Sequence, residues 1–117
     1  MLFRSDVLLY QYAIGSPVAD AVQSFLGVLV VNSHTQTPPE FLERWEPETS
    51  FGVTWGMKQL AMLGPVSRLG IAVSEHNAFE MRAAGFADIA VVPVFTDPTP
   101  YVPDPAVMAA RKTSGAR

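Results

Sequence analysis

The stretch DVLLYQYAIGSPVADAVQSFLGVLVVN, residues 6–32, decides the fold, because two apolar β-prone runs flank a helical segment. The first run, residues 6–13, is continuously apolar and β-prone, which is typical of a strand buried on both faces. Ser16 and Pro17 then predict a helix start, since a serine hydroxyl caps free amides and proline fits the first helical position. The second run, residues 28–32, follows the helix and predicts a β-α-β unit.

The same alternation continues along the rest of the chain. Thr37 as a cap, with Glu40 three residues later, forms a capping-box pattern and predicts a short helix that Pro47 ends. The later elements are a helix over 50–63, a strand over 70–74, a helix over 75–85 that Gly85 terminates in the left-handed region, and a strand over 89–94.

This order predicts an α/β fold, a Rossmann-like parallel sheet with helices on both faces. We assign residues 1–97 to an incomplete Rossmann-like domain. Residues 98–117 are interpreted as a proline-rich connector and a tail helix that starts at Asp104 and Pro105.

The composition narrows the class of protein. The chain has 117 residues, of which 49% are hydrophobic and 16% are charged, and its net charge is −3. Ordinary domains carry about 25% charged residues, so one face of this domain is expected to meet another surface. The absence of a Lys or Arg run argues against a nucleic-acid partner, and the absence of cysteine excludes thiolate metal sites.

The longest apolar runs are far shorter than the ~20 residues that span a bilayer, so no transmembrane segment is expected. The start of the chain lacks the apolar core of a signal peptide. We therefore expect a cytoplasmic protein, and leave open a peripheral position at the inner membrane face.

Polar residues follow the strands at the carboxyl edge of the predicted sheet, where open parallel sheets bind ligands. His34 is the strongest candidate, because neither a helix cap nor a helix face requires a histidine there. Ser16 and Thr37 also have capping roles that would explain them without a ligand. The candidate residues are Gly15, Ser16, Asn32, His34, Thr37 and Asn77.

Several common site motifs do not occur in the chain. There is no G-x-G-x-x-G, no phosphate-binding P-loop, and IGSPV lacks the second glycine of a nucleophile elbow. Two histidines without a third ligand at a known spacing do not indicate a metal site. Trp45, Phe51 and Trp55 are interpreted as helix-face packing, or as a docking patch if they are exposed together.

Three segments, in order, resemble the amino-terminal domain of family 4 glycosyltransferases: DVLLYQYAIGSPVAD (6–20), VLVVNSHTQTPPEFLERW (28–45) and IAVSEHNAFEMRAAGFADIAVVPVFTD (71–97). The family commonly has a Tyr-His-Asn-Ile-Thr-Pro core in the second segment. His34, Thr37 and Pro38 match that core. The tyrosine, asparagine and isoleucine do not, since Ser33, Thr35 and Gln36 stand in their places.

The resemblance implies a retaining enzyme of the GT-B fold, which moves a sugar from a nucleotide-diphosphate sugar to an acceptor hydroxyl without a cofactor or metal. His34 would act as the catalytic residue, next to the transferred sugar. The substrate-binding residues that the resemblance implies are Gly15, Ser16, Asn32, Thr37 and Asn77.

The family's glycine-rich donor loop and its donor-binding second domain have no counterpart in these residues. We therefore expect a partial amino-terminal domain that is inactive alone and whose partner is a carboxy-terminal domain. The alternative is a non-catalytic Rossmann-like module that binds a small ligand, or a protein, at the same edge.

Overall fold

The computed structural model describes residues 6–99 and 104–114. The strands are β1 (Val7–Tyr12), β2 (Val28–Ser33), β3 (Leu69–Ala72) and β4 (Ile89–Val91). The α-helices are α1 (Pro17–Val22), α2 (Pro39–Leu42), α3 (Pro47–Leu63), α4 (Glu75–Ala83) and α5 (Pro105–Ser114), and a 3-10 turn (Gly64–Val66) follows α3.

The four strands form one all-parallel sheet in the order β1-β2-β3-β4. Val7 lies opposite Val28, and Val30 lies opposite Leu69. This arrangement confirms the predicted α/β class and the Rossmann-like parallel sheet.

The core lies between one face of the sheet and the helices α1, α3 and α4. Tyr12 and Val31 on that face are buried together with Leu63 of α3 and Met81 of α4. In the strand order β1-β2-β3-β4, each strand lies on the same side of the strand before it. Right-handed crossovers therefore place every connecting helix on the same face of the sheet. The expectation of helices on both faces is therefore corrected. A sheet whose strand order does not reverse has one covered face.

The other face of the sheet is apolar and largely uncovered by the described residues. β1 alternates between exposed and partly buried positions, with Val7 and Leu9 exposed, and Val28 of β2 is exposed beside them. The expectation that residues 6–13 form a strand buried on both faces was therefore wrong. β1 lies at the edge of the sheet and no described helix packs over this side.

The exposed edge and face predict self-association in solution. β1 is an edge strand of the described sheet, its residues 7–12 include no charge or proline to block pairing, and exposed apolar side chains lie beside it. Leu9 is 52% exposed on the uncovered face, so Leu9→Lys should shift sedimentation velocity profiles toward the monomer. Leu26→Lys is the control, because Leu26 is 89% exposed but lies in the α1–β2 connection. A wild-type chain that stays monomeric at all concentrations would contradict the prediction.

Local signals explain three of the helix ends. The Ser16 hydroxyl accepts a hydrogen bond from the Val18 amide, with Pro17 at the first helical position, as predicted. Gly85 has a φ of +94°, which confirms the left-handed terminator of α4, and Phe86 packs back into the core. α5 begins at Pro105, as predicted.

Three boundaries differ from the predictions because of prolines. α2 begins at Pro39 and lacks a side-chain cap, so the capping role of Thr37 was wrong. The cap position is occupied by Pro38, one residue later than predicted, and a proline side chain has no hydrogen-bond acceptor. Pro47 opens α3 rather than ending α2, since its fixed φ suits a first helical turn. β4 ends at Val91 rather than 94, since Pro93 has no amide hydrogen to pair.

Residues 92–99 have no regular structure and are exposed. The remainder of the predicted connector, residues 100–103, lies outside the described residues. The division into a domain over 1–97 and a connector with a tail helix stays a prediction.

Candidate functional site

The turn between β1 and α1 lies directly on α3. The Gly15 amide donates to the Gly52 carbonyl of α3 at 3.0 Å. A Cβ on Gly15 would lie 2.8 Å from that carbonyl oxygen and 2.9 Å from the Gly56 nitrogen, so the contact requires glycines on both sides. The spacing Gly52-x-x-x-Gly56 places both glycines on one face of the helix.

A buried glutamine fastens the same turn to α3. Gln59 Oε1 accepts from the Ser16 amide at 2.9 Å, and Gln59 Nε2 donates to the Ser16 carbonyl and to Asp20 Oδ1, both at 2.8 Å. Ser16 thus uses its hydroxyl to cap α1 and its backbone to bind α3. Gly15 and Ser16 therefore position this corner of the carboxyl edge.

His34 lies in a polar cluster at the carboxyl end of the uncovered face. Gln11 and Asn32 are opposite each other in the β1–β2 register, and Asn32 Nδ2 donates to Gln11 Oε1 at 2.9 Å. His34 Nε2 lies 3.1 Å from the same oxygen, which can only accept, so Nε2 carries the hydrogen in this bond. In the tautomer that this bond selects, Nδ1 carries no hydrogen and can accept a hydrogen bond.

Asn77 joins the loop after β2 to the start of α4. Its Oδ1 accepts from the Thr35 and Ser74 hydroxyls, each at 2.9 Å, and Ser74 also caps α4 by accepting from the Asn77 amide. The side chain of Asn77 is fully buried. Asn77 Nδ2, like Asn32 Oδ1, is buried without a hydrogen-bond partner among the described residues. Asn77 therefore holds the loop in place.

Gln36 fastens the same loop to the end of β1. Its Nε2 donates to the Ala13 carbonyl, and its Oε1 accepts from the Tyr12 hydroxyl at 3.2 Å. Burial raises the pKa of Tyr12 to about 12, although the hydrogen bond that Tyr12 donates to Gln36 acts in the opposite direction. The hydroxyl stays protonated at neutral pH, so it remains the donor.

A groove of about 430 Å³ opens beside this loop, between α3 and α4. Tyr12 and Ser33 line it at the sheet, and His34, Gln36 and Thr37 line it from the loop. Its helical walls are formed by Val53, Met57, Leu60 and Ala61 of α3 and by Phe79, Ala83 and Ala84 at α4, and the remaining lining residues are Pro38, Pro39, Glu40 and Glu80.

The structure brings some of the candidate residues together and separates others. His34 and Thr37 both line the groove, and Asn32 adjoins His34 through Gln11. Gly15, Ser16 and Asn77 do not line the groove. The sequence did not predict the groove. Its walls belong to α3 and α4, and the distance between these two helices cannot be predicted from local sequence patterns. The only local sign was apolar residues such as Met57 and Phe79 at positions that the core does not use.

The aromatic residues near α2 and α3 divide into two groups. Trp55 is partly buried and its ring adjoins Gly15, as expected for packing. Trp45 and Phe51 are exposed, so the interpretation of these two as helix-face packing was wrong. The Arg44 guanidinium lies 5.3 Å from the centre of the Trp45 ring, within cation–π range.

Two further properties bear on the kind of site. Across residues 6–99 and 104–114, no group of three or more His, Asp or Glu side chains is arranged to hold a metal ion. No helix in this part of the chain combines the length and the apolar character needed to cross a bilayer.

Comparison with protein-family models, with curated proteins and with solved structures gives no significant match for this chain.

Proposed function

We propose that this chain is the acceptor-side part of a retaining glycosyltransferase, which moves a sugar from a nucleotide-diphosphate sugar to an acceptor hydroxyl. The proposal begins from the three segments that resemble family 4 of these enzymes. One structural observation supports it most. The loop that carries the matching histidine, threonine and proline is bonded to Gln11 of the first segment and to Asn77 of the third.

His34 is the proposed catalytic residue of this site. It is exposed, and one ring nitrogen is held by Gln11. The other nitrogen can then accept a hydrogen bond from a sugar hydroxyl. Thr37 and His34 both line the groove between α3 and α4. Asn32 donates a hydrogen bond to Gln11, which in turn holds the histidine.

The remaining candidates have positioning roles in this proposal. Gly15 and Ser16 hold the β1–α1 turn against α3, and Asn77 holds the loop after β2. Their direct contact with substrate stays a prediction of the sequence. The donor would be bound mainly by a carboxy-terminal domain of the GT-B type, and the location would be cytoplasmic or at the inner membrane face.

The test is a transfer assay on a protein that carries this chain together with its donor-binding domain. Nucleotide-sugar donors are supplied with a hydroxyl acceptor, release of nucleoside diphosphate is followed, and proton NMR reports the anomeric configuration of the product. His34→Ala should reduce kcat at least tenfold, because it removes a proton-transfer or hydrogen-bonding group at the sugar. The melting temperature should stay nearly unchanged, since His34 is exposed.

His76→Ala is the matched control, because His76 is an exposed histidine that lies beside Glu80 on its own helix. It should leave kcat unchanged. Wild-type turnover in His34→Ala would remove His34 from the site, and an inverted product would exclude a retaining enzyme.

The groove favours one second candidate, a non-catalytic module that binds a small ligand. Its volume of about 430 Å³ falls within the range of small-molecule sites, and its apolar walls carry a few polar groups. Saturable binding in the groove, without turnover of any donor, would favour this candidate over the transferase.

A further inference from the structure

The groove between α3 and α4 has aromatic and sulfur-containing side chains on its walls. Phe79 of α4 is 69% exposed, and Met57 of α3 is also exposed. Val53 and Leu60, which also line the groove, are buried. An aromatic ring bound here could contact the Phe79 ring edge-to-face or offset-stacked and contact the Met57 thioether favourably.

The carboxylates that line the groove give it a negative charge. Glu40 and Glu80 line it, and no lysine or arginine of the described residues does. Glu80 Oε1 lies 3.6 Å from His76 Nε2, and both side chains are exposed. These two carboxylates would repel an anion in the groove and attract a protonated amine.

We propose that this groove is a binding site for a small ligand that combines an aromatic body with a protonated amine. The aromatic body lies between the α3 and α4 walls, against Phe79 and Met57. The ammonium group lies at the rim, near Glu40 and Glu80. This inference assigns a ligand class to the groove of the second candidate function, and it does not require sugar transfer, because probe binding is measured without a donor.

The test compares three probes that share one ring system and differ in charge: 1-naphthylmethylamine, 1-naphthylmethanol and 1-naphthylacetate. Each is titrated into the ¹⁵N-labelled chain at neutral pH, and amide shifts give both the location and Kd. The amine should bind about threefold to tenfold more tightly than the alcohol, because exposed ion pairs contribute modestly. The acetate should bind most weakly, and the largest shifts should lie at groove residues.

Two variants separate the charge from the apolar contact. Glu40→Gln combined with Glu80→Gln should bring the amine to the affinity of the alcohol, while Glu48→Gln, an exposed carboxylate outside the groove, should have no effect. Phe79→Ala should weaken all three probes. Phe51→Ala is its control, since Phe51 is 72% exposed on α3 and does not line the groove.

Three results would overturn the proposal. The first is acetate binding as tightly as the amine. The second is shifts from all three probes at residues outside the groove, such as the uncovered sheet face. The third is a shift of the groove residues on dilution without any probe, which would mean that a second copy of the chain covers them.

Discussion

Gly56→Ala is expected to lower the free energy of unfolding by about 2–3 kcal/mol, which corresponds to a fall in Tm of roughly 10 °C or more. An added Cβ would lie 2.6 Å from the Gly15 nitrogen and 2.9 Å from the Tyr12 hydroxyl oxygen. The Gly15 backbone cannot yield without losing its hydrogen bond to Gly52. The β1–α1 turn would therefore have to move away from α3.

Gly52→Ala is the matched control, one helical turn earlier in α3. Its Cβ would meet only the side chain of Ile14, with Cδ1 at 2.9 Å, and that flexible, exposed end can move aside. The higher helix propensity of alanine, about 1 kcal/mol over glycine, should offset this contact. Urea unfolding measures both variants. Equal free energies of unfolding for Gly56→Ala and Gly52→Ala would show that the β1–α1 turn does not pack against Gly56.

Gln59→Leu is expected to cost about 2–3 kcal/mol of unfolding free energy. Leucine keeps most of the side-chain volume, so the loss reports the three hydrogen bonds to Ser16 and Asp20. Gln59 is only 1% exposed, so the Ser16 amide and carbonyl would lose their partner where water has little access.

Lys58→Leu serves as the control, because Lys58 is the exposed neighbour of Gln59 on the same helix. Its stability should lie within about 0.5 kcal/mol of the wild type. A wild-type Cm for Gln59→Leu in urea would show that the buried glutamine does not hold the turn. Amide hydrogen exchange at Ser16 should also accelerate in this variant and stay unchanged in the control.

Local patterns predicted those parts of the fold that depend on neighbours in the chain. Ser16 with Pro17 marked the start of α1, and Gly85 marked the end of α4, because caps and left-handed terminators act within a few residues. Pro47 was assigned to the wrong helix, because a proline can either follow one helix or open the next. Which of the two occurs depends on the packing of α2 against α3.

The candidate site was predicted in part. His34, Asn32 and Thr37 were identified from their place after a strand, and the structure brings His34 together with each of the other two, at Gln11 and at the groove. The hydrogen bond from the Thr35 hydroxyl to the buried Asn77 side chain was not predicted, because it joins residues 42 positions apart in the sequence.

The sequence by itself determined the alternation of strands and helices, the parallel pairing and the polar carboxyl edge, because these follow from side-chain periodicity, short-range capping and the handedness of crossovers. Only the tertiary structure decided that the described residues leave one sheet face uncovered, that Gly15 packs against Gly52 and Gly56, and that α3 and α4 enclose a groove lined by Glu40 and Glu80. Those features depend on strand order and on contacts between distant segments, and no local pattern of residues encodes either one.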